Sequence, residues 1–128
     1  MIMKRFAFIF AFAAGLFLLS NPVLAHHSTA EYDMTALTTV KGTATQFEWS
    51  NPHAYLHIDV TTDKGKTEKW TAELASIGML SRVGWKKDTV KPGDEISIVG
   101  YRAKNGTNFM RLNKIVLANG QELSAEVR

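Results

Sequence analysis

From Val40 onward the apolar positions repeat every second residue, with one interruption. Val40 to Trp49 (VKGTATQFEW) is rich in strand formers, and Gly42 marks a bend or bulge within it. From His53 to Thr61 the alternation is clean. Ala54, Leu56, Ile58 and Val60 share one face; His53, Tyr55, His57 and Asp59 share the other. Asp63-Lys64-Gly65 is a turn, and Thr67 to Glu73 is a third strand with Trp70 in its middle. The period then lengthens. Ile77, Met79, Leu80 and Val83 predict a short amphipathic helix over 76–83, with Ser76 as N-cap and Gly84-Trp85 as its end. Pro92-Gly93-Asp94 turns the chain into a fourth strand, Glu95 to Arg102. Asn105-Gly106 has the residues of a tight two-residue hairpin turn. The fifth strand, Asn108 to Leu117, slips its apolar phase between Leu112 and Ile115, which predicts a bulge. Asn119-Gly120 leads to a last short strand near Glu122 to Val127.

Three strands, a short helix and two or three further strands is the element order of the OB fold. An open sheet of this size exposes two edges and one face; closure removes both problems, and the lone helix can plug one end. The expectation is an all-β, OB-fold-like small barrel of five or six strands, with one short helix between strands 3 and 4. A small β-sandwich is the alternative.

The first 25 residues read differently. Lys4 and Arg5 form a basic n-region, Phe6 to Leu19 is an uncharged apolar run, and Val23-Leu24-Ala25 places small residues where a signal peptidase reads. Fourteen apolar residues fall short of the roughly 18 or more of a membrane span. The run is read as a cleaved secretory signal, with an uncleaved anchor as the alternative. The expected organisation is a leader over 1–25, a polar, non-periodic arm over 26–36 that is mobile or loosely docked, and a barrel domain over 37–128. The expected location is periplasmic or secreted, with no stable membrane span after cleavage.

Removing the leader takes two cations and lowers the formal net charge from +3 to +1. That balance argues against nucleic acid as a partner. Residues 82–114 nevertheless carry eight basic side chains against three acidic ones. The segment is read either as a solvated basic face or as a surface for an anionic partner. There are no cysteines. Disulfide scaffolds, thiolate metal sites and thiol catalysis are therefore excluded, and the domain must hold itself by its core.

The four histidines are not scattered. His26 and His27 would begin the processed chain, and His53 and His57 flank Tyr55 on one strand face. Cleavage after Ala25 leaves a free α-amine on His26, and amine and imidazole nitrogens of one residue can chelate one metal ion. With a reference pKa near 7.7–8.0, the amine loses its proton to a divalent metal at neutral pH. A third nitrogen from another histidine completes a T-shaped site suited to Cu(II), the first-row divalent ion that binds such nitrogens most tightly. Cleavage one residue earlier gives Ala25-His26-His27, with histidine third, which is also a strong Cu(II) chelate. His53 and His57 lie four residues apart on a strand, roughly 13 Å between Cα atoms, too far for one ion. His53, at the Asn51-Pro52 strand entry, is the better third ligand; His57 is read as a surface or cross-strand histidine. The metal candidates are thus His26, His27 and His53, with copper as the cofactor. A processed chain with Met34, Met79 and Met110 alone is too poor in methionine for a Met-rich Cu(I) site.

The segments Ala25-His26-His27-Ser28, Phe47-Glu48-Trp49-Ser50-Asn51-Pro52-His53, Trp70-Thr71-Ala72-Glu73, Gly84-Trp85 and Lys91-Pro92-Gly93-Asp94 are similar to a family of small exported bacterial proteins catalogued as a domain of unknown function. The likeness spans essentially the whole chain after the leader. The paired His-His-Ser start and the Trp-x-Asn-Pro-His motif are its most specific parts. It implies a periplasmic location and a single small β domain. It supplies no substrate, and it singles out His26, His27 and His53 together.

Two functions follow as expectations. One is a periplasmic metal-binding protein, for Cu(II), acting in storage, delivery or protection. The alternative is a non-metal OB-type module for a glycan, peptide or small apolar ligand, with Trp49 and Tyr55 as a surface aromatic pair. Catalysis is the weaker expectation, because no nucleophile–base motif or Gly-rich phosphate loop is present.

Overall fold

Alternating residues leave β2 (Tyr55–Thr61) and β3 (Thr67–Glu73) with one apolar face each, and a closed barrel is what buries those faces. A computed structural model of the chain describes residues 31–126; the expected leader, His26 and His27 lie outside the described residues. The remaining elements are β1 (Tyr32–Glu48), α1 (Ile77–Arg82), β4 (Glu95–Ala103), β5 (Phe109–Val116) and β6 (Glu122–Ser124). The sheet order is β3-β2-β1-β4-β5-β6, and a parallel β3–β5 pairing closes the first five strands into a barrel. With α1 between β3 and β4, this is a small all-β barrel of OB-type connectivity. No helix among the described residues is long and apolar enough to cross a membrane.

One strand serves two neighbours. β1 pairs with β4 from Leu37 to Thr43 and with β2 from Thr43 to Glu48. The change of partner needs a bend, which the sequence suggests at Gly42. The bulge itself lies at Thr45, skipped between Ala44 and Gln46 in the register with β2. Gly42 instead permits a close approach of strands, since a Cβ there would collide with the Asp59 carbonyl oxygen and come within 2.7 Å of the Ile58 side chain. Gly100 repeats this on β4, where a Cβ would strike the Arg111 carbonyl oxygen. The phase slip on β5 is a bulge at Asn113, because Val99 faces Lys114 while Gly100 faces Leu112. The extra carbonyl is used: Asn113 O accepts from Ala125 N at 2.8 Å, just after β6.

The interior is filled by Leu56, Ile58, Ala72, Ile98, Met110, Leu112 and Ile115, all buried. α1 contributes Leu80 to this core, and Ser76 caps it through Met79 N, as its sequence predicted. Trp85 follows α1 into the core and donates its indole N–H to Ser124 O at 2.7 Å, so the buried ring leaves no orphan donor.

Two expectations change. The β4–β5 connection spans residues 104–108 and is no two-residue turn; Asn105 Oδ1 accepts from Thr107 N and Oγ1, which stabilises the wider loop. Of the arm expected over 26–36, residues 32–36 belong to β1, which begins at the buried Tyr32, and residues 26–30 lie outside the described residues. Between Tyr32 and Leu37 five steps of β1 face only two of β4, from Ala103 to Tyr101. This irregular pairing of exposed residues carries no readable period.

Gly42→Ala and Gly100→Ala should each destabilise the barrel by about 1–3 kcal/mol, because backbone must move to admit the methyl group. Gly78→Ala, on the open face of α1 with nothing within 4 Å, should stabilise by about 0.5–1 kcal/mol. Urea unfolding of the three variants measures both.

Candidate functional site

β3 ends with an acid where its neighbours are apolar. Ala72 and Leu74 point into the core, so alternation sends the Glu73 carboxylate to the outer side of the barrel, yet it is only 4% exposed. It is the one buried charged side chain among the described residues. A buried carboxylate is tolerated only where donors replace its water. Two do so. The Tyr32 hydroxyl donates to Oε2 in a short hydrogen bond. His53 Nδ1 lies 3.0 Å from Oε1. No lysine or arginine lies within ion-pair distance of it among the described residues.

Each partner is held by backbone. Tyr32 begins β1 opposite Ala103, and its ring stacks on Phe109 at 6.3 Å. His53 follows the cis Asn51–Pro52 peptide in the turn between β1 and β2. That turn is laced to the segment entering α1: Asn51 Oδ1 accepts from Ile77 N at 3.1 Å, Ala54 N donates to Ala75 O at 3.1 Å, and Leu74 N donates to Ala54 O at 2.8 Å. The three side chains line a cavity of about 200 Å³, with Ser76, Met79 and Arg111 also on its wall.

The histidine's proton can be placed. Nδ1 faces Glu73 Oε1 and also the Leu74 carbonyl oxygen, each at 3.0 Å. A carbonyl oxygen only accepts, so Nδ1 must carry the hydrogen. In the neutral ring Nε2 is then the nitrogen with a lone pair. The side chain is 33% exposed, and no described residue hydrogen-bonds Nε2. Glu73 and Leu74 therefore hold the imidazole as a ligand-ready tautomer, in the arrangement by which a carboxylate or carbonyl orients a metal-binding histidine.

His57 is arranged otherwise. Its Nδ1 contacts Thr71 Oγ1 at 3.1 Å, and its Nε2 lies 3.4 Å from Glu48 Oε1, shut off from solvent and without a well-formed hydrogen bond. It acts as a cross-strand residue. Trp49 and Tyr55, expected as a surface pair, fall into different groups. Phe47 and Trp49 share a side of the chain, and Phe47 contacts the buried Trp85 at 5.8 Å. Tyr55 pairs with Glu48, one residue out of phase, and its ring meets Phe109. The eight cations of 82–114 are also dispersed. Arg102 lies over the Trp70 ring, Lys114 pairs with Glu122, and Arg111 belongs to the cavity.

Sequence reasoning reached His53 and missed Tyr32 and Glu73. The available signal was an acid inside Thr71-Ala72-Glu73-Leu74-Ala75, where every flank is small or apolar. No group of three or more His, Cys, Asp or Glu side chains suited to a metal occurs among the described residues.

The model of a family of unknown function, DUF6152, matches residues 14–111. The chain belongs to that family. A comparison with curated proteins found no match. The family match takes in β1 to β4, the turn that carries His53, and both Tyr32 and Glu73.

Burial pushes the Tyr32 phenol well above its usual range, and its hydrogen bond to Glu73 and the charge of that carboxylate add to the shift. Burial, then Glu73 and Glu48, raise Tyr55 as well. A raised phenol contributes stability that is complete below the unfolded-state value near 10 and is lost as pH climbs from there toward the folded-state value. Tyr32→Phe should cost about 1–3 kcal/mol at neutral pH, because Glu73 loses a donor. It should also flatten the loss of stability above pH 10 relative to the parent. Urea unfolding of both proteins from pH 8 to 11.5 tests the pair of expectations.

Proposed function

We propose that this DUF6152 protein is an exported copper-binding protein that holds Cu(II) between a histidine-first N-terminus and His53. The observation that carries the reading is the Leu74 carbonyl at His53 Nδ1, which assigns the hydrogen to that nitrogen and leaves Nε2 with the lone pair of the neutral tautomer, on a residue that lines the cavity. In this reading the leader over 1–25 is removed on export to the periplasm. His26 then chelates through its α-amine and imidazole, and His27 assists or competes. Chain length supports it: Tyr32 lies six positions after His26, an extended reach of roughly 20 Å, and Tyr32 touches the same Glu73 that lies against His53. We read the His-His-Ser start and the Trp49-to-His53 motif as two halves of one site.

Electrostatics support a cation here. Glu73 is a buried carboxylate beside the Tyr32 phenol and the His53 ring, so positive charge at that ring is favoured. The role is storage, delivery or protection, for which binding alone suffices.

Isothermal titration with Cu(II) tests the site from both ends. A noncleavable Met-Ala before His26 should lower affinity by orders of magnitude, because the α-amine leaves the chelate. His53→Ala should lower it further, and Glu73→Gln should weaken it roughly 10–100-fold while the fold persists. Affinity indifferent to the extension and to His53→Ala would refute the reading.

A further inference from the structure

α1 is too short to bury both sides, yet it presents a large thioether to solvent. Sequence periodicity groups Met79 with Ile77, Leu80 and Val83 as one apolar face. The structure separates them: Leu80 is fully buried, while Met79 is 40% exposed. Core packing therefore does not account for Met79. What it does is line the cavity that His53, Glu73 and Tyr32 also line. The two walls cannot drift apart freely, because Asn51, beside the His53 turn, accepts from Ile77 N, and Ser76 caps the helix through Met79 N. His53 and Met79, with its soft, flexible thioether, thus line one small cavity from two clamped segments.

Thioether sulfur selects Cu(I), whereas amine and imidazole nitrogens suit Cu(II). We propose that Met79 and His53 form a Cu(I) site in this cavity, so that the protein holds copper in either oxidation state, with His53 common to both. The inference rests on the Cu(II) reading above and extends it to a second ligand set that lies wholly within the described residues. It needs no methionine-rich tract, since one thioether beside a pre-oriented imidazole supplies the soft donor. The other methionines differ: Met110 is fully buried, and Met34 is exposed on β1 away from the cavity wall.

The test is anaerobic competition for Cu(I) between the purified, processed protein and a chromophoric Cu(I) chelator, alongside Cu(II) titration of the same samples. Met79→Leu conserves volume at a partly exposed position and should keep the fold. It should lower Cu(I) affinity by roughly tenfold or more and leave Cu(II) affinity unchanged. Met34→Leu should change neither. X-ray absorption of the Cu(I)-loaded parent should show a sulfur neighbour that Met79→Leu lacks. Unchanged Cu(I) affinity in Met79→Leu, or an equal loss in Met34→Leu, overturns this inference while the Cu(II) reading stands. Cu(II) affinity unmoved by His53→Ala overturns that reading, and the shared-ligand inference with it.

Discussion

A single carboxylate, buried at the end of β3, organises this end of the barrel. An unpaired charge in a protein interior costs several kcal/mol, and Glu73 has no lysine or arginine within ion-pair reach among the described residues. Its burial is tolerable because the Tyr32 hydroxyl donates to it and the His53 ring lies against it, two groups from remote parts of the chain. That requirement extends β1 to Tyr32 and fixes the position of the turn after β1. Remove the Tyr32 hydroxyl and the carboxylate must find water, which means opening the segment that covers it.

The barrel was largely legible in the chain because its causes are local. β3 falls where alternation put it, α1 lies between its expected cap and Gly84, and the bulge at Asn113 is the phase slip between Leu112 and Ile115. The site was half legible for the opposite reason. His53 stands out beside Asn51-Pro52, but Glu73 and Tyr32 are 41 residues apart, and nothing near either names the other. The start of β1 was invisible because Asp33 to Ala36 are exposed and irregularly paired, so the strand there is held by its anchored end and shows no apolar period. The Asn105-Gly106 pair signals a turn but not its width: Asn105 does initiate one, and its side chain closes a wider loop through Thr107.

His53 and His57 show how far environment outweighs residue type. They lie four residues apart in one segment of chain, and both meet a glutamate. His53 has Nδ1 committed to the Leu74 carbonyl and its ring a third exposed; His57 has Nε2 sealed against Glu48 and Nδ1 on a hydroxyl that can donate or accept. The first arrangement defines a tautomer and leaves Nε2 without a hydrogen bond to any described residue. The second satisfies a cross-strand contact. Spacing alone separated them as ligands for one ion, and hydrogen bonding now supplies the chemical distinction.

The sign of the cavity's field follows from the same geometry. Arg111 stands on its wall, opposite Glu73 in the β3–β5 register, so a count of charges gives zero. The two do not act equally. Arg111 is exposed, and solvent and salt weaken its field within about a Debye length. Glu73 is enclosed, where the lower effective dielectric leaves its field strong at the neighbouring imidazole. The cavity therefore favours a cation over an anion. An acidic partner would have to engage the other basic side chains of 82–114, two of which are already committed, Arg102 to Trp70 and loop carbonyls and Lys114 to Glu122. In the copper-binding reading proposed above, a metal ion at His53 would offset part of the burial penalty of Glu73.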